Sequence, residues 1–349
     1  ILSKNHKIDL FLGEERTQDY NAIFNENVNV FFLDKKIIWE RPGKVNYLLL
    51  KNYFLAKYVL FPKKYDVVFG VGQAGACLAS LLANRINAPF IYLNDEFPEI
   101  YRHKVWQIKE NESVKKASFI IVPDETRIEP LRSKMKGIDK IPFTVLPNAP
   151  LLCDLQELTP VNWLEYFSLP PNAKIFLLGG GVIDINQIAE TLVTVPLWKE
   201  NFYLIVNGGN ELKRKEYAHL DNSKIIWNYK PFDDKTYHSL IKSSVLNFGL
   251  YRNTDDLEFV GKSSGKIMRS LALGVPVIAS NFNSLSFIRE YRMGELVSHP
   301  LEIPSKINTI LENYALYQKN CVEQYPKISY ESYWQRFVDE VHAVLTIKF

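Results

Sequence analysis

Short apolar runs bounded by Gly, Pro, Asn or Asp recur along the chain and alternate with segments whose apolar positions fall at helical spacing. In the first 150 residues the runs 8–12, 28–33, 66–71, 90–93, 119–122 and 144–146 read as strands, and 74–84 and 126–135 as helices between them. Strands apolar on both faces and separated by helices predict a parallel sheet covered on both sides. Residues 151–173 interrupt this rhythm with several prolines and no periodicity, and the interdomain linker is expected there. A second cycle starts at Lys174, with strands at 175–178, 203–207, 225–227, 245–248 and 275–279 and helices at 186–192, 234–243 and 266–273. Residues 303–345 read as helical apart from a break near Pro326.

Length and composition narrow the class. A chain of 349 residues exceeds one ordinary α/β core and suits two domains of about 150 residues each. With 47% apolar and 23% charged residues, the composition is that of a soluble globular protein. Cys77, Cys153 and Cys321 lie far apart, which suggests neither a disulfide framework nor a zinc site, and a reducing, cytoplasmic compartment is expected. Residues 1–150 carry 22 Lys and Arg against 17 Asp and Glu, whereas the remainder has a net balance of −2. No basic patch is dense enough to imply nucleic acid, and no run of about 20 apolar residues could span a bilayer. The chain opens on Ile1-Leu2-Ser3-Lys4, and an opening strand and loop are expected to precede it.

Candidate chemistry concentrates at strand ends. Lys262-Ser263-Ser264-Gly265-Lys266 reads as a polar loop opening a helix. Backbone N–H groups, the helix dipole, two hydroxyls and two lysines there make an anion site. Gly179-Gly180-Gly181 follows a strand and precedes a helix, which fits either close backbone approach to a ligand or a tight turn. Gly70, Gly72 and Gly75 match a dinucleotide-binding pattern in part, a weak signal. Asn94-Asp95-Glu96 closes the strand 90–93 with carboxylates, suited to general-base work or to capping a helix. In the segment 44–65, Val45, Leu48, Leu49, Asn52, Leu55 and Val59 form one largely apolar helical face, expected to be buried. Tyr47, Leu50, Lys51, Phe54, Lys57, Tyr58 and Phe61 lie opposite, an aromatic and basic face suited to an anionic membrane surface or to a second copy of the chain.

Ser264-Gly265-Lys266 followed by Leu271-Ala272-Leu273-Gly274-Val275-Pro276-Val277-Ile278-Ala279-Ser280 resembles the donor-site signature of GT-B glycosyltransferases, the family 4-like group (glycosyl transferases group 1) in particular. The resemblance implies an α/β GT-B architecture of two Rossmann-like, doubly wound domains facing a central cleft. It places an acceptor-side domain at 1–150, a donor domain at 151–325 and a C-terminal helix crossing back at 326–349. It implies a nucleotide-sugar donor whose diphosphate is held by Ser263, Ser264, Gly265, Lys266 and the loop Gly179, Gly180, Gly181. Asn207, Gly208 and Tyr229 would border the nucleotide base and ribose, and Tyr251 and its following polar loop the donor sugar. Asp95, or failing it Glu96, would be the catalytic carboxylate. The family's two glutamates fall on Gly261 and Arg269, and its phosphate-gripping Arg and Lys are replaced by Val182-Ile183-Asp184-Ile185.

The resemblance further implies sugar transfer, with retention, from a donor such as a UDP-sugar to a glycan, lipid-linked or protein hydroxyl in the cytoplasm, without a metal or other cofactor. Contact with the inner face of a membrane through 44–65 is expected where the acceptor is lipid-linked. Two other readings share the fold: a sugar-nucleotide epimerase, and a binding partner without catalysis.

Overall fold

A computed structural model describes residues 6–12, 26–32, 43–59, 63–95, 104–181, 186–254 and 257–345. The chain divides into two compact units, Ile1–Val122 with Ile128–Val145 and Arg336–Phe349, and Pro123–Arg127 with Leu146–Gln335.

In the first unit, β1 (Ile8–Leu12) pairs in parallel with β2 (Val28–Phe32). A four-stranded parallel sheet runs in the order β3 (Val68–Val71), β4 (Phe90–Leu93), β5 (Phe119–Val122), β6 (Phe143–Val145). Phe90, Ile91, Tyr92, Phe119, Ile120, Ile121 and Val122 are all buried, as expected of strands covered on both faces. The helix Gly72–Ile86 starts as soon as β3 ends, and Gly72, at φ +60°, makes that turn. A Cβ on Gly70 would sit 2.7 Å from the Gly75 carbonyl and 2.9 Å from Ala79 Cβ. The partial dinucleotide pattern is therefore accounted for by helix–strand packing.

The helix Gly43–Phe54 continues as a π turn, Leu55–Val59, and corrects the expected orientation of this segment. Leu50 and Phe54 are buried while Leu48 is 44% exposed. Phe54 meets Phe11 edge-on at 5.8 Å, and Tyr58 packs on Phe11 at 4.8 Å and Phe31 at 6.0 Å. The aromatic side assigned to a membrane or a second copy is the side this unit buries. The helix's own pattern offered two apolar faces, and the aromatic surface of β1 and β2 chose between them. Phe61 lies outside the described residues.

The second unit carries a six-stranded parallel sheet in the order β12, β11, β10, β7, β8, β9. Its strands are β7 (Lys174–Gly179), β8 (Phe202–Asn207), β9 (Ile225–Asn228), β10 (Leu246–Gly249), β11 (Val277–Ser280) and β12 (Gly294–Val297). Period-two alternation along β7 sends Phe176 and Leu178 into one core with Leu204, Val206 and Phe248, and Ile175 and Leu177 into another with Ile205, Leu240 and Trp163. The edge strand β12 was absent from the sequence reading. It is short and glycine-led, and pairing with β11 supplies what its pattern lacks.

Candidate functional site

The chain runs from β7 outward to β8 and β9, then returns to lay β10, β11 and β12 on the other side of β7. The loops leaving β7 and β10 therefore diverge, and such a switch point at the carboxyl ends of parallel strands is where open α/β sheets bind ligands. Gly179–Gly181 follows β7 here, and Leu250 and Tyr251 follow β10. A Cβ on Gly179 would overlap the Tyr237 hydroxyl, and Gly180 sits at φ +97°, so both positions require glycine.

Lys266 fills the switch point. Its Nζ donates to Asn186 Oδ1 at 3.0 Å and to the Leu250 carbonyl at 3.3 Å, and lies 4.1 Å from the Tyr251 ring centre. Asn186 Nδ2 in turn donates to the Gly181 carbonyl at 2.6 Å, which ties the glycine turn to the lysine. No ion pair to a carboxylate is made by Lys266 among the described residues. Burial without a counter-charge pushes its pKa down to about 7.

The neighbouring Lys262 has the opposite environment. Its Nζ pairs with Asp124 Oδ2 at 2.8 Å and with Glu125, and its backbone N–H donates to Asp124 at 2.9 Å. Burial alone would raise the Asp124 pKa, but the Lys262 charge and hydrogen bonds hold it below the usual carboxylate value. The loop thus carries one lysine paired with carboxylates and one that has no carboxylate partner among the described residues. A Cβ on Gly261, at φ +39°, would overlap the Asp124 carboxylate, so the glutamate of the family pattern does not fit there.

The helix Gly265–Ala272 begins at Ser264, whose Oγ accepts from the Ile267 N–H at 3.4 Å and lies 2.6 Å from the Tyr251 hydroxyl. Ser263 Oγ donates to the Val260 carbonyl and accepts from Arg127 at 2.8 Å. Asn148 clamps the loop through the Lys262 and Ser263 carbonyls, both at 3.1 Å. Both hydroxyls therefore serve the loop, while the first-turn N–H groups of Gly265 and Lys266 have no intrahelical acceptor. Asp124, Arg127, Asn148 and Asn186 escaped sequence reasoning. Asp124 and Asn186 each sit just past a strand end or glycine turn, the one signal that could have marked them.

Asn207 and Gly208 form a separate group at the ends of β8 and β9. Asn228 Nδ2 donates to Asn207 Oδ1 at 2.6 Å and to the Lys230 carbonyl at 3.0 Å, and Gly208, at φ +129°, donates to the Asn228 carbonyl. Tyr229 is half-buried, with its ring 6.4 Å from Trp227.

Asp95 belongs to the first unit, exposed just beyond β4, and Glu96 lies outside the described residues. Beneath it is a buried polar network. Tyr92 donates to Glu110 Oε1 at 2.5 Å, Gln73 donates to Glu110 Oε2 at 3.1 Å, and Asn94 donates to the Tyr92 hydroxyl at 3.1 Å. Burial first, and the Asp95 charge in addition, raise the Glu110 pKa. A raised carboxyl pKa contributes stability that is full below the unfolded value of about 4.5 and is lost as pH rises through the folded value. Wild-type stability relative to Glu110→Gln is accordingly expected to decline from pH 4 towards neutrality. Melting curves whose gap stays constant across that range would show that Glu110 is not neutralised in the fold.

The whole architecture has solved counterparts. A structure of Alr3699/HepE from Anabaena, in complex with UDP and glucose, matches 97% of this chain and 100% of its own at TM-score 0.72 and 13% identity. A structure of trehalose-6-phosphate synthase, from work on enzymatic glycosyltransfer with retention, matches 98% and 94% at TM-score 0.72 and 11% identity. The chain has the GT-B fold. A putative UDP-N-acetylglucosamine 2-epimerase from Listeria monocytogenes is similar over 92% of this chain and 84% of its own, at TM-score 0.58 and 14% identity. No protein-family model and no curated protein matches the sequence.

Proposed function

We propose that this GT-B chain is a glycosyltransferase that takes a sugar from a nucleoside-diphosphate donor, of the UDP-sugar class, and transfers it with retention to a hydroxyl of a glycan, lipid-linked or protein acceptor. The observation that carries the reading is Lys266: a cation with no carboxylate partner among the described residues, at a helix start and at the switch point of the sheet, against a glycine turn. Solved GT-B proteins crystallised with UDP and glucose support the donor class. Gly179, Gly180, Gly181, Ser263, Ser264 and Gly265 shape the diphosphate site, Asn207, Gly208 and Tyr229 the nucleoside side, and Asp95 or Glu96 the reacting centre. A cytoplasmic reaction fits the free cysteines; among the described residues no helix is long and apolar enough to cross a membrane.

Calorimetric titration with UDP, GDP and dTDP tests the site. A charge-assisted contact to phosphate contributes roughly 1.5–3 kcal/mol, so Lys266→Ala is expected to weaken nucleoside diphosphate binding about tenfold or more while leaving the fold intact. Because the free ammonium titrates near 7, diphosphate binding should take up a proton above that pH, and wild-type affinity should fall as pH rises from 7 to 9. Unchanged affinity in Lys266→Ala sinks the assignment.

The second reading, a sugar-nucleotide epimerase, is favoured by the likeness to the Listeria protein. A third, binding without catalysis, is favoured by Gly261 and Arg269 in place of the family's glutamates. A panel of nucleotide-sugars separates the three: slow donor hydrolysis to the free diphosphate supports transfer, an epimerised sugar the second reading, and an unaltered donor the third.

A further inference from the structure

Arg269 stands three residues after Lys266 on the helix Gly265–Ala272. Residues at that spacing share a helix face, and their side chains lean towards the helix start. The Arg269 side chain is partly buried and makes no hydrogen bond or ion pair among the described residues. The helix Asp234–Ser243 packs on this one, with Lys242 Nζ donating to the Leu273 carbonyl at 2.6 Å, and its Tyr237 hydroxyl packs where a Gly179 Cβ would stand. Lys266 therefore lies against Gly180, and the helix that packs beside Arg269 reaches Gly179 through Tyr237.

A second observation comes from that neighbouring helix, where His238 stands about one turn before Lys242 as Arg269 stands about one turn before Leu273. His238 is 4% exposed, and neither ring nitrogen has a hydrogen-bond partner. Burial, and then the Arg269 charge, lower its pKa, while Asp234 on its own helix and Asp154 on the turn Leu152–Leu155 oppose them. An imidazole buried with neither nitrogen satisfied costs free energy in the ligand-free protein. A bound anion would relieve it, because the guanidinium would gain a partner and the imidazole an acceptor.

We propose that Arg269, with His238 beside it, is a second cationic arm of the phosphate site, so that a nucleoside diphosphate is held by two cations from one helix face. This rests on the donor site proposed above. A nucleoside diphosphate carries at least two negative charges near neutral pH, and Lys266 alone supplies at most one positive charge. The site then differs from the family pattern in kind: a cation stands on the helix where the pattern has a carboxylate.

The test is titration of the full chain with UDP and, separately, with uridine, for wild type, Arg269→Ala, Arg269→Lys and Arg269→Glu. Loss of one charge-assisted arm should weaken UDP about tenfold in Arg269→Ala, less in Arg269→Lys and more in Arg269→Glu, with uridine unaffected. Melting temperatures near wild type are expected, since the side chain has no protein partner to lose, and the lysine variant guards against a folding defect in the others. Arg269→Ala binding UDP like wild type, while Lys266→Ala weakens it, overturns this inference alone. Tighter UDP binding by Arg269→Glu overturns it as well, by indicating a contact to sugar hydroxyls. Wild type that binds neither UDP, GDP nor dTDP overturns both readings together.

Discussion

Asp95→Asn is expected to lower turnover about 10²–10⁴-fold, the range for loss of a positioned acid or base, while nucleoside diphosphate affinity stays within a factor of about two. Asp95 is exposed at the carboxyl end of β4, where a reacting hydroxyl can reach it. Asn94 before it is fully buried and donates to Tyr92, which is bound in turn to Glu110, so the carboxylate leaves a fixed base. In a retaining transfer this carboxylate would orient the acceptor hydroxyl or offset positive charge developing at the sugar. The variant keeps size and hydrogen bonding and removes only the charge. Steady-state kinetics on the donor identified by the nucleotide-sugar panel, with Glu96→Gln in parallel, decides the matter. Near-normal turnover in both carboxamide variants would make the cluster structural.

Lys262→Met is expected to destabilise the second unit by about 3–5 kcal/mol, because it leaves the Asp124 carboxylate buried without its counter-charge. The Lys262 and Asp124 side chains are only 9% and 1% exposed. Stabilities of whole domains run about 5–15 kcal/mol, so this one change removes a large share. The double variant Lys262→Met/Asp124→Asn should recover most of the loss, since no uncompensated charge remains. Urea unfolding of wild type and the two variants measures both numbers; a single variant as stable as wild type would show that the pair contributes nothing. The pH dependence has a definite sign. Asp124 titrates below its unfolded value of about 3.8, so its contribution is present above that pH and is lost as pH falls through the folded value. Lys262 is raised above its unfolded value of about 10.5, despite burial, by Asp124 and Glu125, and its contribution is lost only in strong alkali.

Much of the fold was legible because strands buried on both faces leave apolar runs that no other element of similar length produces. Among the described residues, eleven of the twelve strands, β1 to β11, overlap runs marked from sequence, and only β12 left no signal. The helix at 234–243 was read with its observed bounds, since Asp233 caps it and its buried residues recur on one side. The glycine turn after β7 and the lysine at the helix start were equally readable, because close approach needs glycine and an anion needs a cation.

What the sequence could not decide was which of two similar side chains is held and which is left over. Lys262 and Lys266 look alike in a polar loop, and only Asp124 and Glu125, more than 130 positions away in the chain, pair with the first, while the second has no carboxylate partner among the described residues. The same holds for Leu50 and Phe54, whose face was settled by aromatic rings on β1 and β2, and for Arg269, whose side chain finds no partner among the described residues. Local pattern determined the elements and the chemistry available at their ends, because periodicity and backbone needs act over a few residues. Pairing, burial and the choice of face came from tertiary structure, because electrostatic and packing partners are set by distance through space and not by distance along the chain.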